Sequence, residues 1–136
     1  MKNSLLTFTT TKAQIENIFT GNCAIQNVCP VTDILSRLGD KWSMHTVLLL
    51  GKKQKMRFNE LKTGIKGISQ RMLAVTLRSL EEDGLVLRTL HAEIPPRVDY
   101  ELTNLGDGFL QQLIQMGNWA NASSTQIINA RTNYKK

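Results

Sequence analysis

Gly67-Ile68-Ser69-Gln70-Arg71-Met72-Leu73, Leu80-Glu81-Glu82-Asp83-Gly84-Leu85-Val86, and Ile94-Pro95-Pro96-Arg97-Val98-Asp99-Tyr100-Glu101-Leu102-Thr103: the reading of these three runs decides the fold. Ser69 is a candidate N-cap, since its side-chain oxygen can take a free backbone N–H of the first turn. The spacing predicts a helix from Gln70 to about Asp83. At about 100° per residue, Leu73, Leu77, Leu80 and Gly84 fall on one side, and Arg71, Val75, Arg78 and Glu82 on the other. Gln70, Met72 and Ser79 flank them. Leu85 to His91 then reads as a strand, and Glu93-Ile94-Pro95-Pro96 as a stiff turn. Val98, Tyr100 and Leu102 alternate with Arg97, Asp99 and Glu101, the period of a second strand with one face inward. A capped basic helix running into a hairpin is the order that a DNA-reading helix with a β-wing requires.

Upstream, Phe58 to Ile65 reads as a short helix, with Asn59 its candidate cap and Leu61 facing inward. Thr63-Gly64-Ile65-Lys66-Gly67 permits a tight turn, so the pair forms a helix-turn-helix. Lys52 to Arg57 is a basic connector able to hold a short strand. Before it, Asp40 is placed to cap a helix with Trp42, Val47, Leu48, Leu49 and Leu50 in the core, stopping at Gly51. Cys29-Pro30 opens another helix, with Val31, Ile34, Leu35 and Leu38 on one stripe; proline suits the first helical position. Lys12 to Phe19 carries Ile15, Ile18 and Phe19 at helical spacing. Downstream, Thr103 can cap a C-terminal helix with Leu105, Phe109, Leu113 and Met116 on one stripe and Leu110 and Ile114 beside it. The Asn- and Ser-rich residues after Trp119 have no assigned place. The expected fold is mainly α with a small β-wing (α+β), a winged helix-turn-helix. Its expected parts are an extension at 1–28, the DNA-binding domain at 29–103, and a C-terminal helix and tail at 104–136.

Composition narrows the partner. Seventeen basic residues against eleven acidic ones give a net charge of +6. Lys52, Lys53, Lys55, Arg57, Lys62, Lys66, Arg71 and Arg78 form a block opposed only by Glu60. A basic block on predicted helices points to a polyanion; the alternative is a solvated lysine face. The longest apolar run, Val47 to Leu50, is far below the roughly 20 residues of a membrane helix. Met1-Lys2-Asn3 opens no signal-peptide pattern, so a cytoplasmic protein with no membrane partner is expected. Cys23 and Cys29 are too few for a disulfide framework or a zinc site. His45 and His91 stand alone, and no metal or cofactor is expected. No Gly-rich phosphate loop or nucleophile–base set suggests an enzyme, and Ser69 reads as a cap.

The candidate DNA-contacting residues are Lys66, Ser69, Gln70, Arg71, Val75, Arg78, Ser79 and Arg97. Arginine pairs with guanine, glutamine with adenine, and Val75 can pack on a thymine methyl. The Ser69 helix N-terminus suits a phosphate, as does Lys66. Arg97 stands at the base of the wing tip, within reach of a minor groove or phosphate, and Arg88 can reach backbone. The alternative for both is pairing with Asp99 or Glu101. The competing function is a protein-interaction module whose Arg71, Val75 and Arg78 meet an acidic partner.

Several motifs in order resemble the HxlR-type bacterial transcriptional regulators, winged-helix proteins related to the MarR group. They are Cys29-Pro30-Val31, Leu38-Gly39-Asp40-Lys41-Trp42, Arg57-Phe58-Asn59-Glu60-Leu61, the three runs quoted first, and Leu102-Thr103. The resemblance covers about residues 29–110. It implies a homodimer on a near-palindromic double-stranded DNA operator, held together by the terminal helices. Ile15, Ile18, Phe19, Leu105, Phe109, Leu113 and Met116 are the candidate dimer residues; packing within the chain is the alternative for the C-terminal stripe. The family more often has glycine or serine where Asp40 stands, the N-terminal extension is comparatively long, and Cys23 has no counterpart in the motif. Some members sense oxidants or electrophiles through the cysteine matching Cys29. A thiol at a helix N-terminus favours the reactive thiolate, so Cys29 is a candidate redox or effector switch with Cys23 its candidate partner. The alternative is an inert buried thiol.

Overall fold

The computed structural model describes the backbone of residues 4–20 and 30–135, and the side chains of residues 10–18 and 30–135. Cys23, Cys29 and the Phe19 side chain lie outside the described residues. The chain divides into two compact units, Met1–Asp40 and Lys41–Lys136.

The first unit holds α1 (Ser4–Thr20) and α2 (Pro30–Leu38). Helix α1 begins well before the expected Lys12. Its Ile15 and Ile18 are exposed. Helix α2 starts on Pro30, with Asp33 in its first turn and Arg37 in its last, each sign matched to the helix dipole. Ile34 and Leu35 of its stripe are exposed, and Leu38 is buried.

The second unit runs α3 (Lys41–Lys53), β1 (Lys55–Arg57), α4 (Phe58–Gly64), α5 (Gln70–Glu82), β2 (Val86–His91), β3 (Arg97–Leu102) and α6 (Asn104–Thr132). Helix α3 is the hub, packing against α4, α5, α6, β1 and β3. Its Val47 and Leu50 are fully buried. Buried Thr46 satisfies its hydroxyl by donating to the Trp42 carbonyl at 2.7 Å. Two expectations for α3 need correction. It passes Gly51 and ends at Lys53, where Gln54 turns the chain with a φ of 72°. Leu48 is 41% exposed, because it points into an open groove between α3 and α6 instead of toward α5.

Helix α4 begins at Phe58, so Asn59 lies within its first turn and is not the cap. The backbone N–H of Arg57 donates to Glu60 Oε1 at 2.9 Å, half of the reciprocal arrangement that starts helices. Ile65 and Ile68 are buried on either side of the turn. Gly67 crosses it at a φ of 88°, a conformation side chains resist.

Ser69 caps α5, its Oγ accepting from the Met72 N–H at 3.0 Å. Leu73, Leu77 and Leu80 are buried, as their spacing requires. The far end closes on Gly84, with a φ of 78°. Gly84 N–H donates to Glu81 at 3.0 Å and Leu85 N–H to Leu80 at 2.9 Å, the paired bonds of a Schellman cap.

The antiparallel sheet has the order β1-β3-β2. Tyr100 sits opposite Met56 on one side and Arg88 on the other, and Leu102 sits opposite Val86. Directly opposed residues share a face, and Met56 and Val86 are buried. Val98, Tyr100 and Leu102 therefore take the inward face, as expected. The alternation is not clean, however. Asp99, on the other face, is the buried residue of β3, covered by His91 and Arg97.

Helix α6 is continuous to Thr132, so the residues after Trp119 are helical. Thr103 caps it, accepting from the Gly106 N–H at 3.1 Å. Its inward residues are Gly106, Leu110 and Leu113; Leu105 and Met116 of the expected stripe are exposed. The reason is a backbone approach. A Cβ on Gly106 would collide with the Leu85 carbonyl, and one on Gly51 with the Leu110 side chain. Those two close packings fix the rotation of α6.

Candidate nucleic-acid interface

The exposed side of α5 carries Gln70, Arg71, Val75 and Arg78. Val75 is 54% exposed, on the side opposite the buried leucines. Among the described residues, Arg71 and Arg78 make no ion pair and no side-chain hydrogen bond. Lys66 is exposed in the turn before the cap, and Ser69 is exposed at the helix N-terminus. These residues share one continuous side of the helix-turn-helix. Ser79 is half-buried on the flank and already engaged within the chain.

Of the two wing arginines, Arg97 takes the pairing alternative and Arg88 does not. Arg97 is half-buried. Its Nη1 lies 3.5 Å from Glu93 Oε1 and its Nε 3.5 Å from Asp99 Oδ2. The same Asp99 oxygen is 2.8 Å from His91 Nε2. Arg97 is thus held down onto its own hairpin and does not project from the tip. Arg88 stays exposed and, among the described residues, unpaired. Strand alternation puts Arg97 on the face of Asp99, and the register puts Arg88 on the other. Arg88 faces Tyr100, while Asp99 and Glu101 face Thr89 and Leu87 on the other side of the sheet. Glu101 instead lies 3.7 Å from Lys55 Nζ. Nothing local in the sequence signals that pairing.

Of the candidate dimer residues, Ile15, Ile18, Leu105 and Met116 are exposed, Phe109 is half-buried, and Leu113 is buried within its own unit. Leu113 spends its surface inside the chain, so its expected intermolecular role is corrected. Among the described residues no acid, histidine or cysteine cluster could hold a metal. No helix there is long and apolar enough to cross a membrane.

The chain matches the model of the HxlR-like helix-turn-helix family over residues 37–127. YybR of Bacillus subtilis (strain 168), named as an uncharacterized HTH-type transcriptional regulator, is 36% identical over 107 residues, covering 77% of this chain and 83% of that protein. Among solved structures, the redox regulator HypR in its reduced form superposes with a TM-score of 0.68 at 34% identity, over 74% of this chain and 98% of that one. Diamide-treated YodB from B. subtilis gives a TM-score of 0.59 at 32% identity, over 70% and 94%. These relatives are named as regulators, not enzymes, and their winged helix-turn-helix architecture is the one described above. The protein belongs to the HxlR-like helix-turn-helix family of transcriptional regulators.

Proposed function

We propose that this protein is a sequence-specific regulator that binds double-stranded DNA as a homodimer on a near-palindromic operator. One observation carries the reading: α5 commits its leucines to the core and leaves Arg71 and Arg78 exposed, with no ion pair or side-chain hydrogen bond among the described residues. A helix of this kind fits the major groove, and an arginine fork matches the O6 and N7 of guanine. In this reading Arg71 reads a base, Gln70 and Val75 add adjacent contacts, and Ser79 lies at the edge. The capped N-terminus at Ser69, with Lys66 beside it, takes a backbone phosphate. Arg97 braces the wing from within the hairpin.

The exposed apolar residues of α1 and α6, with the groove beside Leu48 and Met116, support burial of the terminal helices in a dimer. Cys29 is the proposed trigger, supported by the regulators HypR and YodB, which are similar to this chain and named for their redox forms or diamide treatment. A two-electron oxidant such as diamide would take up two electrons and two protons as Cys29 and Cys23 join through sulfur. The alternative effect, an inert thiol, predicts unchanged operator binding after diamide and an unchanged response in Cys29→Ser.

The test is selection of duplexes from a random library by the full chain, followed by binding measurements at fixed salt. The reading predicts a selected duplex bound about 10³-fold or more tighter than scrambled DNA. Equal binding of all duplexes would point instead to an adaptor for acidic proteins.

A further inference from the structure

We propose that Arg78 of α5 and Arg88 of β2 together form a seat for one phosphate group, filled by a backbone phosphodiester of the bound duplex. The inference rests on the DNA-reading role of α5 and adds a second anchor that joins the reading helix to the wing. The two arginines come from different elements, yet both line one concavity of about 170 Å³ between α5 and the sheet. Buried Leu77 and half-buried Phe58 and Tyr100 line it, together with the exposed residues Arg78, Arg88 and Glu81.

Three observations point to an anion. First, neither guanidinium has an ion pair or a side-chain hydrogen bond among the described residues, although Glu81 lines the same space. Second, the sheet turns the wing's acids away: Asp99 is engaged by His91 and Arg97, and Glu101 by Lys55, on the face opposite Arg88. Third, Arg78 follows Arg71 by seven residues on the same side of α5, about 10 Å further along the axis. A groove about 12 Å wide places sugar-phosphate wall, not base edges, at that distance from a base contact. Two guanidinium forks lining one concavity can donate to the two non-bridging oxygens of a phosphodiester. Glu81 opposes the anion and limits the affinity of the seat.

The experiment uses the full chain and its selected duplex, with neutral methylphosphonates placed one position at a time. Arg88→Ala is expected to weaken selected and scrambled duplexes alike, by about tenfold, and to make the log–log salt slope shallower by about 1. One methylphosphonate position per half-site should weaken the wild type more than Arg88→Ala, in which Arg78 alone is left at the seat, the non-additivity of a direct contact. Glu81→Gln should tighten both duplexes by about twofold to threefold. Arg88 is exposed, so an unchanged thermal midpoint is expected for its variant. Wild-type affinity and salt slope in Arg88→Ala, with sequence discrimination intact, would overturn the seat and leave the DNA reading standing. A wild type that shows no discrimination strikes at the reading instead. A loss in Arg88→Ala that adds equally to every methylphosphonate would also overturn the seat. In a separate arm, inorganic phosphate replaces chloride at matched ionic strength. If it displaces the duplex through Arg88 while no methylphosphonate position shows non-additivity, the site serves a free anion and the duplex assignment fails.

Discussion

Thr103 Oγ1 donates a hydrogen bond to the Gly84 carbonyl oxygen at 2.6 Å. Thr103 Oγ1 itself accepts from the Gly106 N–H at 3.1 Å. One hydroxyl therefore ties the residue that closes α5 to the first turn of α6, and the Thr103 N–H adds a bond to Leu85 at 3.0 Å. Valine at this position keeps the shape and loses both hydroxyl bonds. Thr103→Val is expected to cost about 1–2 kcal/mol in urea unfolding, with Thr103→Ser nearly neutral. Equal losses in the two variants would mean that the methyl group, not the hydroxyl, holds the joint.

Gly106 and Gly108 sit two residues apart on α6 and predict opposite signs. A Cβ at Gly106 meets the Leu85 carbonyl, a backbone atom that cannot rotate away, while a Cβ at Gly108 meets nothing within 4 Å. Gly106→Ala should destabilise by about 3 kcal/mol, the upper range for forced overpacking. Gly108→Ala should stabilise by about 0.5–1 kcal/mol through helix propensity. Denaturant midpoints of the two proteins check both signs.

Asp99 is the joint of the wing, since His91 and Arg97 both meet its Oδ2. Asp99→Ala removes that carboxylate and leaves the Arg97 guanidinium with Glu93 alone. A loss of about 1–2 kcal/mol is expected, because both partners are partly solvated. Amide exchange should quicken in β2 and β3 before it quickens in α5. Unchanged exchange in the hairpin would mean that backbone pairing alone holds the wing.

What was legible in the sequence was local. Ser69, the leucines at 73, 77 and 80, and Gly84 describe α5 completely, since a cap, a periodic face and a left-handed stop are all written within a few turns. Thr103 announced α6 for the same reason. What was not legible depends on partners distant in the chain. Arg88 is left without an acid among the described residues because the register of β2 against β3 puts Asp99 and Glu101 on the other face. The stripe on α6 is rotated because Gly106 must clear a carbonyl of Leu85. Leu48 reads as core, yet it faces a groove whose other wall belongs to α6. Asn59 is a favoured cap residue displaced by the earlier start of α4 directly after β1.

Lys66 and Arg71 should separate affinity from specificity. Lys66→Ala is expected to weaken every duplex by a similar factor and to lower the salt slope by about 1. Arg71→Ala is expected to cost roughly 1–3 kcal/mol on the selected duplex and little on scrambled DNA. The same pattern from both variants would remove the distinction between base and backbone contact.

The most direct measurement replaces single guanines of the selected duplex with 7-deazaguanine and compares the wild type with Arg71→Ala. If the exposed guanidinium of α5 reads a base, one guanine per half-site loses affinity for the wild type on losing its N7. That loss is then absent in Arg71→Ala. If no guanine shows this dependence, or if Arg71→Ala remains as sensitive as the wild type at every position, α5 does not read DNA through Arg71 and the account is contradicted.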